Sequence, residues 1–205
     1  MKKLADYTSM ATATAEDYRI EAEIFEAYRE RLPKLLIAQL EGLRDVYRSN
    51  KVDRYQHSLQ TATRALRDNA SEEMVVAALF HDIGDILTPD NHAPIAAELL
   101  KPYVGPDTYW IIKHHDVFQG YFFWHHWGRD RNARERFRDH PLYERAVYFS
   151  EAWDQTSFDP DYGTLPISDF IPMVERIFGR QPWQSGCVPM SDHQSSKIHL
   201  VERSK

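Results

Sequence analysis

The chain of 205 residues contains a single cysteine, Cys187. One cysteine can form no disulfide within the chain and cannot build a thiolate zinc site, so a reducing compartment is expected. Nothing around Cys187 in the sequence supplies a cation or a helix start to activate it, and it reads as an inert thiol. No run approaches the roughly 20 apolar residues of a membrane-spanning helix. The opening "MKKLADYTSMATATAEDY" lacks the continuous apolar stretch of a secretory signal. The expected setting is therefore cytoplasmic, with no membrane partner. Charge of one sign is scarce as well: 25 Lys and Arg stand against 31 Asp and Glu, a formal net charge of -6. That balance argues against a surface built to hold nucleic acid phosphates. No segment repeats at a fixed period, which excludes a solenoid, and no convincing strand pattern occurs.

What remains is a globular chain, 42% hydrophobic and 13% aromatic, long enough for one domain with a substantial core. The periodicity is helical throughout. From Ala15, Ile20, Ile24, Ala27 and Tyr28 recur on one face, and Pro33 opens a second helix at a tolerated first-turn position. "RYQHSLQTATRALRD" predicts a third helix, with Leu59, Ala62, Thr63 and Leu66 on one side. "SEEMVVAALFHDI" predicts a fourth, with Ser71 as N-cap, Glu72 and Glu73 in its first turn and Gly84 as its end. "HAPIAAELLKPYV" and "PDTYWIIKHHDVF" predict two short helices, "FQGYFFWHHWGRDRN" a loop or broken helix, and the chain from Pro141 a return to helix. "ISDFIPMVERIF" predicts the last helix, capped by Ser168. The expected fold is all-α: a loose arm over residues 1–14, one compact helical bundle over 15–179, and a flexible polar C-terminal tail over 180–205, broken by Pro182, Gly186 and Pro189.

Ten histidines are present, and most fall between His57 and His140. Taken singly, each reads as an ordinary core or surface histidine. Together they form a pattern: His57 on one helix, His81-Asp82 at the end of an apolar one, His92 at the start of another, His114 and His115 after "WIIK", and Asp154 after the apolar "AVYF". Burying several imidazoles and carboxylates costs several kcal/mol unless they are hydrogen-bonded or hold a metal. His and Asp donors without thiolates suit divalent iron, manganese or zinc, and a carboxylate beside a histidine can bridge two metals through its two oxygens.

The order His57, His81-Asp82, Asp154 resembles the signature of the HD-domain superfamily, all-helical metalloproteins that are mostly phosphohydrolases. The resemblance covers roughly Arg54 to Gln155. Within the superfamily, "QHSLQTA", "AALFHDIGD", "HAPIAAELL", "IIKHHDVF" and "AWD" are most similar to the mixed-valent diiron oxygenases, the branch of myo-inositol oxygenase and the C–P bond-cleaving oxygenases. The resemblance implies two iron ions, Fe(II)/Fe(III), with O2 as co-substrate. One metal would take His57, His81, Asp82 and Asp154; the other would share Asp82 and add His92 and His115, with His114 as the competing reading for the last. It implies oxidative cleavage of a C–C or C–P bond of a small hydroxylated molecule. The alternative is a bimetallic phosphohydrolase acting on a nucleotide or other phosphate ester through metal-bound hydroxide.

Three further residues are catalytic candidates by the same resemblance. Tyr47 stands ten residues before His57, where phosphonate-cleaving relatives carry a tyrosine covering the open iron position; Asn50 replaces its acidic partner. Glu151 stands three residues before Asp154, where those relatives carry an arginine, and Asp85 follows "HDIG", where relatives carry lysine. Two bases exchanged for acids argue against a phosphate or phosphonate and suit an amine- or ammonium-bearing substrate. Tyr121, Phe122 and Trp124, in "VFQGYFFWHHW", are either core packing or the wall of a cage for such a cation. The five arginines of "GRDRNARERFRDH" read as a solvated, salt-bridged face, one of which could still reach the pocket. The only partners expected are a small-molecule substrate and, at most, further copies in a small homo-oligomer.

Overall fold

The computed structural model describes residues 4–189, and among these there are helices and no strand. The fold is all-α. Eight α-helices follow in order: α1 Ala15–Arg29, α2 Leu32–Glu41, α3 Arg54–Arg67, α4 Glu72–Phe80, α5 His92–Leu100, α6 Pro106–Phe123, α7 Tyr143–Tyr148 and α8 Ile167–Phe178. Short 3-10 turns and one π-helical turn, Phe149–Asp154, join or extend them.

The centre is α4. Met74 to Phe80 are buried without a break, as expected of a helix that is apolar all round. It is packed by α3, α6 and α8. Ser71 caps it, its hydroxyl accepting from the Met74 N–H at 3.2 Å, with Glu72 and Glu73 at the positive end. Around it lie Leu40, Leu43, Leu100, Ile111, Ile112, Phe118, Phe149, Phe170 and Phe178, all fully buried. Each such side chain contributes about 1.5–3 kcal/mol of burial, and the same packing fixes the helices that carry the histidines. On α3, Leu59, Ala62 and Thr63 are buried as the periodicity predicts, but Leu66 is only half-buried. His57, Ser58, Gln60 and Thr61 are buried too, because the π-helical turn and the chain after it also pack on α3, with His57 and Gln60 bonded to the Ser157 and Asp159 carbonyls.

Several boundaries differ from the sequence reading. The fourth helix stops at Phe80 and not at Gly84; His81 is its C-cap and Ile83–Ile86 form a 3-10 turn. The predicted short helix ending near Phe118 runs on to Phe123, so the aromatic stretch is helix first and a 3-10 turn, Trp124–Trp127, afterwards. Its glycine does not break it: Gly120 lies against the Trp124 ring, where a Cβ would sit 2.4 Å from ring atoms. Ser168 does not cap the last helix, because the chain enters it at Pro166 and Ser168 is already inside. On α1 only Ile20 of the expected face is buried; Ile24 and Tyr28 are exposed. Residues ahead of α1 are tied to it, the Asp6 N–H donating to Asp17 Oδ1 at 3.0 Å and Thr14 forming a capping box with Asp17. The expected tail is divided. Its first part packs back on the loop after α5, with the Trp183 N–H donating to the Pro102 carbonyl and the Val188 N–H to that of Val104. The remainder, 190–205, lies outside the described residues.

Candidate metal centre

The histidines meet at the end of α4. His57 comes from α3, His81 and Asp82 from the turn that closes α4, His92 from the first residue of α5, His115 from the middle of α6 and Asp154 from the last residue of the π-helical turn. Asp82 is the hub. Its Oδ1 lies 3.3 Å from His115 Nε2, 3.5 Å from His81 Nε2 and 3.5 Å from His92 Nε2, and its Oδ2 lies 3.3 Å from His57 Nε2. Asp154 Oδ1 lies 3.2 Å from His57 Nε2 and 3.6 Å from His81 Nε2. Two triads, His57–His81–Asp154 and His81–Asp82–His115, hold their donor atoms within 4.8 Å of one another. His57, His81, Asp82, His115 and Asp154 are buried, while His92 is partly open.

The far side of every ring is committed. Nδ1 of His57 donates to the Ser157 carbonyl at 3.0 Å, and Nδ1 of His81, His92 and His115 to the carbonyls of Ala78, Pro89 and Ile112 at 2.7 Å each. Four rings so anchored turn Nε2 inward, the arrangement by which outer hydrogen bonds orient metal-binding imidazoles. His57 is also stacked on Phe158, with ring centroids 4.4 Å apart.

Backbone geometry makes the convergence possible. The Gly84 Cα lies so close to α5 that a Cβ there would stand 2.4 Å from the His92 carbonyl oxygen. The missing side chain lets the start of α5 approach Asp82. At the other end, the Gln155 N–H reaches back five residues to the Ser150 carbonyl at 3.0 Å. This wide turn delivers Asp154 to the cluster, and π-helical turns recur at functional sites.

The charges are those of a cation-binding site. Burial alone would lower His57, but the Asp154 and Asp82 carboxylates outweigh it and hold the ring near pKa 9. Burial likewise opposes, and Asp82 overcomes, for His115, also near 9. Asp82 and Asp154 are pushed the other way: burial would raise them, and the surrounding imidazoles bring both below the usual carboxylate range. Asp154 Oδ2 is buried with no hydrogen-bond partner, and a buried carboxylate oxygen left unpaired is costly. Four inward imidazole nitrogens, two carboxylates and one orphaned oxygen fit a divalent metal, or two sharing Asp82.

His115, not His114, reaches Asp82. His114 packs between Trp110 and Phe137, and burial lowers its pKa. Asp85 is buried at the edge of the cluster, its Oδ1 3.6 Å from His92 Nδ1. Burial first, and the Asp82 charge second, raise its pKa. Tyr47 stands at the mouth, half exposed, its hydroxyl 3.4 Å from Asp85 Oδ2. Asn50 does not reach it: its side chain accepts from the Val52 N–H. Glu151 is not brought to the cluster. It is exposed and faces Arg134, at 3.3 Å. The wide turn is the reason, because residues three apart on it no longer share a face as they would on an α-helix.

Residues that the sequence reading passed over complete the site. Arg54, one helical turn before His57, spans three groups: Nε to Asp85 Oδ2 at 3.2 Å, Nη1 to Asp82 Oδ2 at 3.4 Å and Nη2 to the Tyr47 hydroxyl at 2.8 Å. Gln119, one turn after His115, donates from Nε2 to Asp154 Oδ1 at 2.6 Å. Both were findable from helical spacing to a histidine. A cavity of about 410 Å³ opens beside the cluster, walled by Tyr47, Arg54, Gln119, Phe123, Trp124 and Arg129 among others. Of the expected cage, only Trp124 lines it. Tyr121 instead lies under the guanidinium groups of Arg131 and Arg134, and Phe122 packs edge-on against Tyr121. Asp85 and Glu151 each face an arginine and Arg129 reaches the cavity, so these two acids leave room for an anionic substrate.

No curated protein matches the chain. The family model for the HD domain matches residues 54–152, which takes in every member of the cluster except Asp154, two residues beyond. Helices, histidines and family match agree: residues 54–152 of this chain form an HD domain.

Proposed function

We propose that the protein is a mixed-valent diiron oxygenase that uses O2 to break a C–C or C–P bond, or a related C–X bond, of a small hydroxylated substrate. An HD domain points to a metal-dependent enzyme. The observation that carries the finer reading is the six-residue donor set around one carboxylate, with Asp82 facing all four Nε2 atoms. His57, His81 and Asp154 would hold one iron and His92 and His115 the other, with Asp82 between. Two irons there would activate O2, and O2 itself would supply the oxidising equivalents. The protein's own part is binding and shielding: Phe123 and Trp124 wall the cavity against water, Tyr47 stands at its mouth, and Arg54 fixes Asp82 and Asp85. Asp90 and Asp116 on the same cavity, beside its aromatic wall, suit an amine or ammonium group on the substrate.

The phosphohydrolase is the second reading, and Arg54 and Arg129 on the cavity favour it, since a phosphate needs cations around it. One experiment separates the two. Iron-loaded protein, partly oxidised, is expected to give a mixed-valent diiron EPR signal and to turn over only in air. Turnover unaffected by removing O2, or activity with two manganese ions on a phosphate ester, would install the hydrolase instead.

A further inference from the structure

Helix α6 meets the cluster twice, one turn apart. His115 faces Asp82, and Gln119 donates to Asp154 Oδ1. Gln119 is also part of the cavity wall, which Asp154 is not. Among the described residues it is the one cavity-lining side chain hydrogen-bonded to Asp154. Without it, the rotation of this carboxylate would be set by His57 and His81 alone, both of which a metal would also engage. An amide carries two N–H donors and one acceptor oxygen. One donor is committed to Asp154, and no side chain or backbone N–H among the described residues reaches Gln119 Oε1.

We propose that Gln119 is the positioning residue of the centre. Its N–H holds Asp154 in the rotation that receives a metal, and its carbonyl oxygen accepts an O–H or N–H from whatever occupies the cavity, so that one amide joins cavity and centre. The inference rests on the cluster being a metal centre. It differs from a packing role, because a glutamine that merely satisfied a buried carboxylate would matter as much without metal as with it.

The test uses the full chain and two variants. Gln119→Leu removes donor and acceptor; Gln119→Lys keeps N–H donors for Asp154 and has no acceptor. Mn(II) and Fe(II) alone are titrated by calorimetry, and the melting temperature is measured in chelator. Gln119→Leu is expected to bind metal about 10–100-fold more weakly, the usual cost of losing an outer partner of a metal ligand, with a fall of its melting temperature in chelator well short of that loss. Gln119→Lys is expected to recover most of that affinity. Ethylene glycol and ethanolamine then serve as O–H and N–H donors, read by the EPR of Mn(II)-loaded protein. Gln119→Lys should need about tenfold more of either than the wild type, the worth of one hydrogen bond. Equal metal affinity in wild type and Gln119→Leu overturns the positioning role, and a fall in the chelator melting temperature matching the loss of affinity makes it a packing role. Wild-type protein that responds to neither probe overturns the acceptor role. Wild-type protein that binds no metal overturns instead the reading of the cluster.

Discussion

Arg54 shows what single residues do around this cluster. Its guanidinium lies against two buried carboxylates and a phenol, and burial disfavours its charge while Asp82 and Asp85 more than restore it, raising its pKa. Removing one member of such a set strands the others. Arg54→Met is therefore expected to destabilise the fold by about 3 kcal/mol, the lower end for a broken buried pair. Asp85→Asn in the same chain should return a large part of it, because the stranded charge is then gone. Chemical denaturation of the two single variants and the double variant measures the coupling; strictly additive effects would mean that the pair does not interact. Cys187 is the contrasting case. Burial pushes its thiol pKa up, so alkylation by iodoacetamide at neutral pH is expected to be slow in the folded protein and rapid in denaturant. Labelling at equal rates would place the thiol on the surface.

At the scale of elements, the site depends on two departures from regular helix. One is the π-helical turn that delivers Asp154. The other is the tight approach of the Ile83–Ile86 turn to the start of α5. Gly84→Ala would drive a Cβ into the His92 backbone, which has no flexible end to yield. The expected outcome is a loss of about 1–3 kcal/mol of stability, with weaker binding of the metal that His92 faces. Gly42→Ala is the control. It ends α2 with φ -61°, and a Cβ there meets only Ile86 at 3.8 Å, so stability should hold or rise by up to about 1 kcal/mol. Equal losses in both variants would deny Gly84 its special place. These departures also mark where the sequence stopped being legible. Helices α3, α4 and α8 follow from apolar spacing, and the histidines could be assigned to segments because helical period and residue type agree. Glu151, a candidate by resemblance alone, faces Arg134 instead of the cluster, and nothing in "SEAWDQ" announces the wider turn on which it stands. The continuation of α6 through Gly120 is hidden for a similar reason: the aromatic run reads as irregular until Trp124 is seen lying across Gly120. Arg54 and Gln119 were legible at one-turn spacing, but only to a reader who already held His57 and His115 as the reference points.

Across the whole molecule, the cluster draws on α3, the end of α4, the start of α5, α6 and the turn after α7. No two of these segments are joined by a covalent staple; Cys187 is the sole cysteine. A metal bound there would link most of the bundle through its own core, with α1, α2, α7 and α8 themselves supplying no ligand. Binding to the folded state alone adds stability by mass action, about 4 kcal/mol at a thousand times the dissociation constant. For a chain of this size that corresponds to a rise of about 8–16 °C in melting temperature. Because the ligands come from separate elements, the gain should appear as a shift of one cooperative transition, with no early local step. Scanning calorimetry of iron- or manganese-loaded protein against protein in chelator measures this. His57→Ala, which removes a candidate ligand from the first turn of α3, should abolish the difference, while Phe25→Ala on the exposed face of α1 should leave it intact. A metal-dependent shift that survived His57→Ala would locate the metal elsewhere and detach the buried cluster from the stability of the fold.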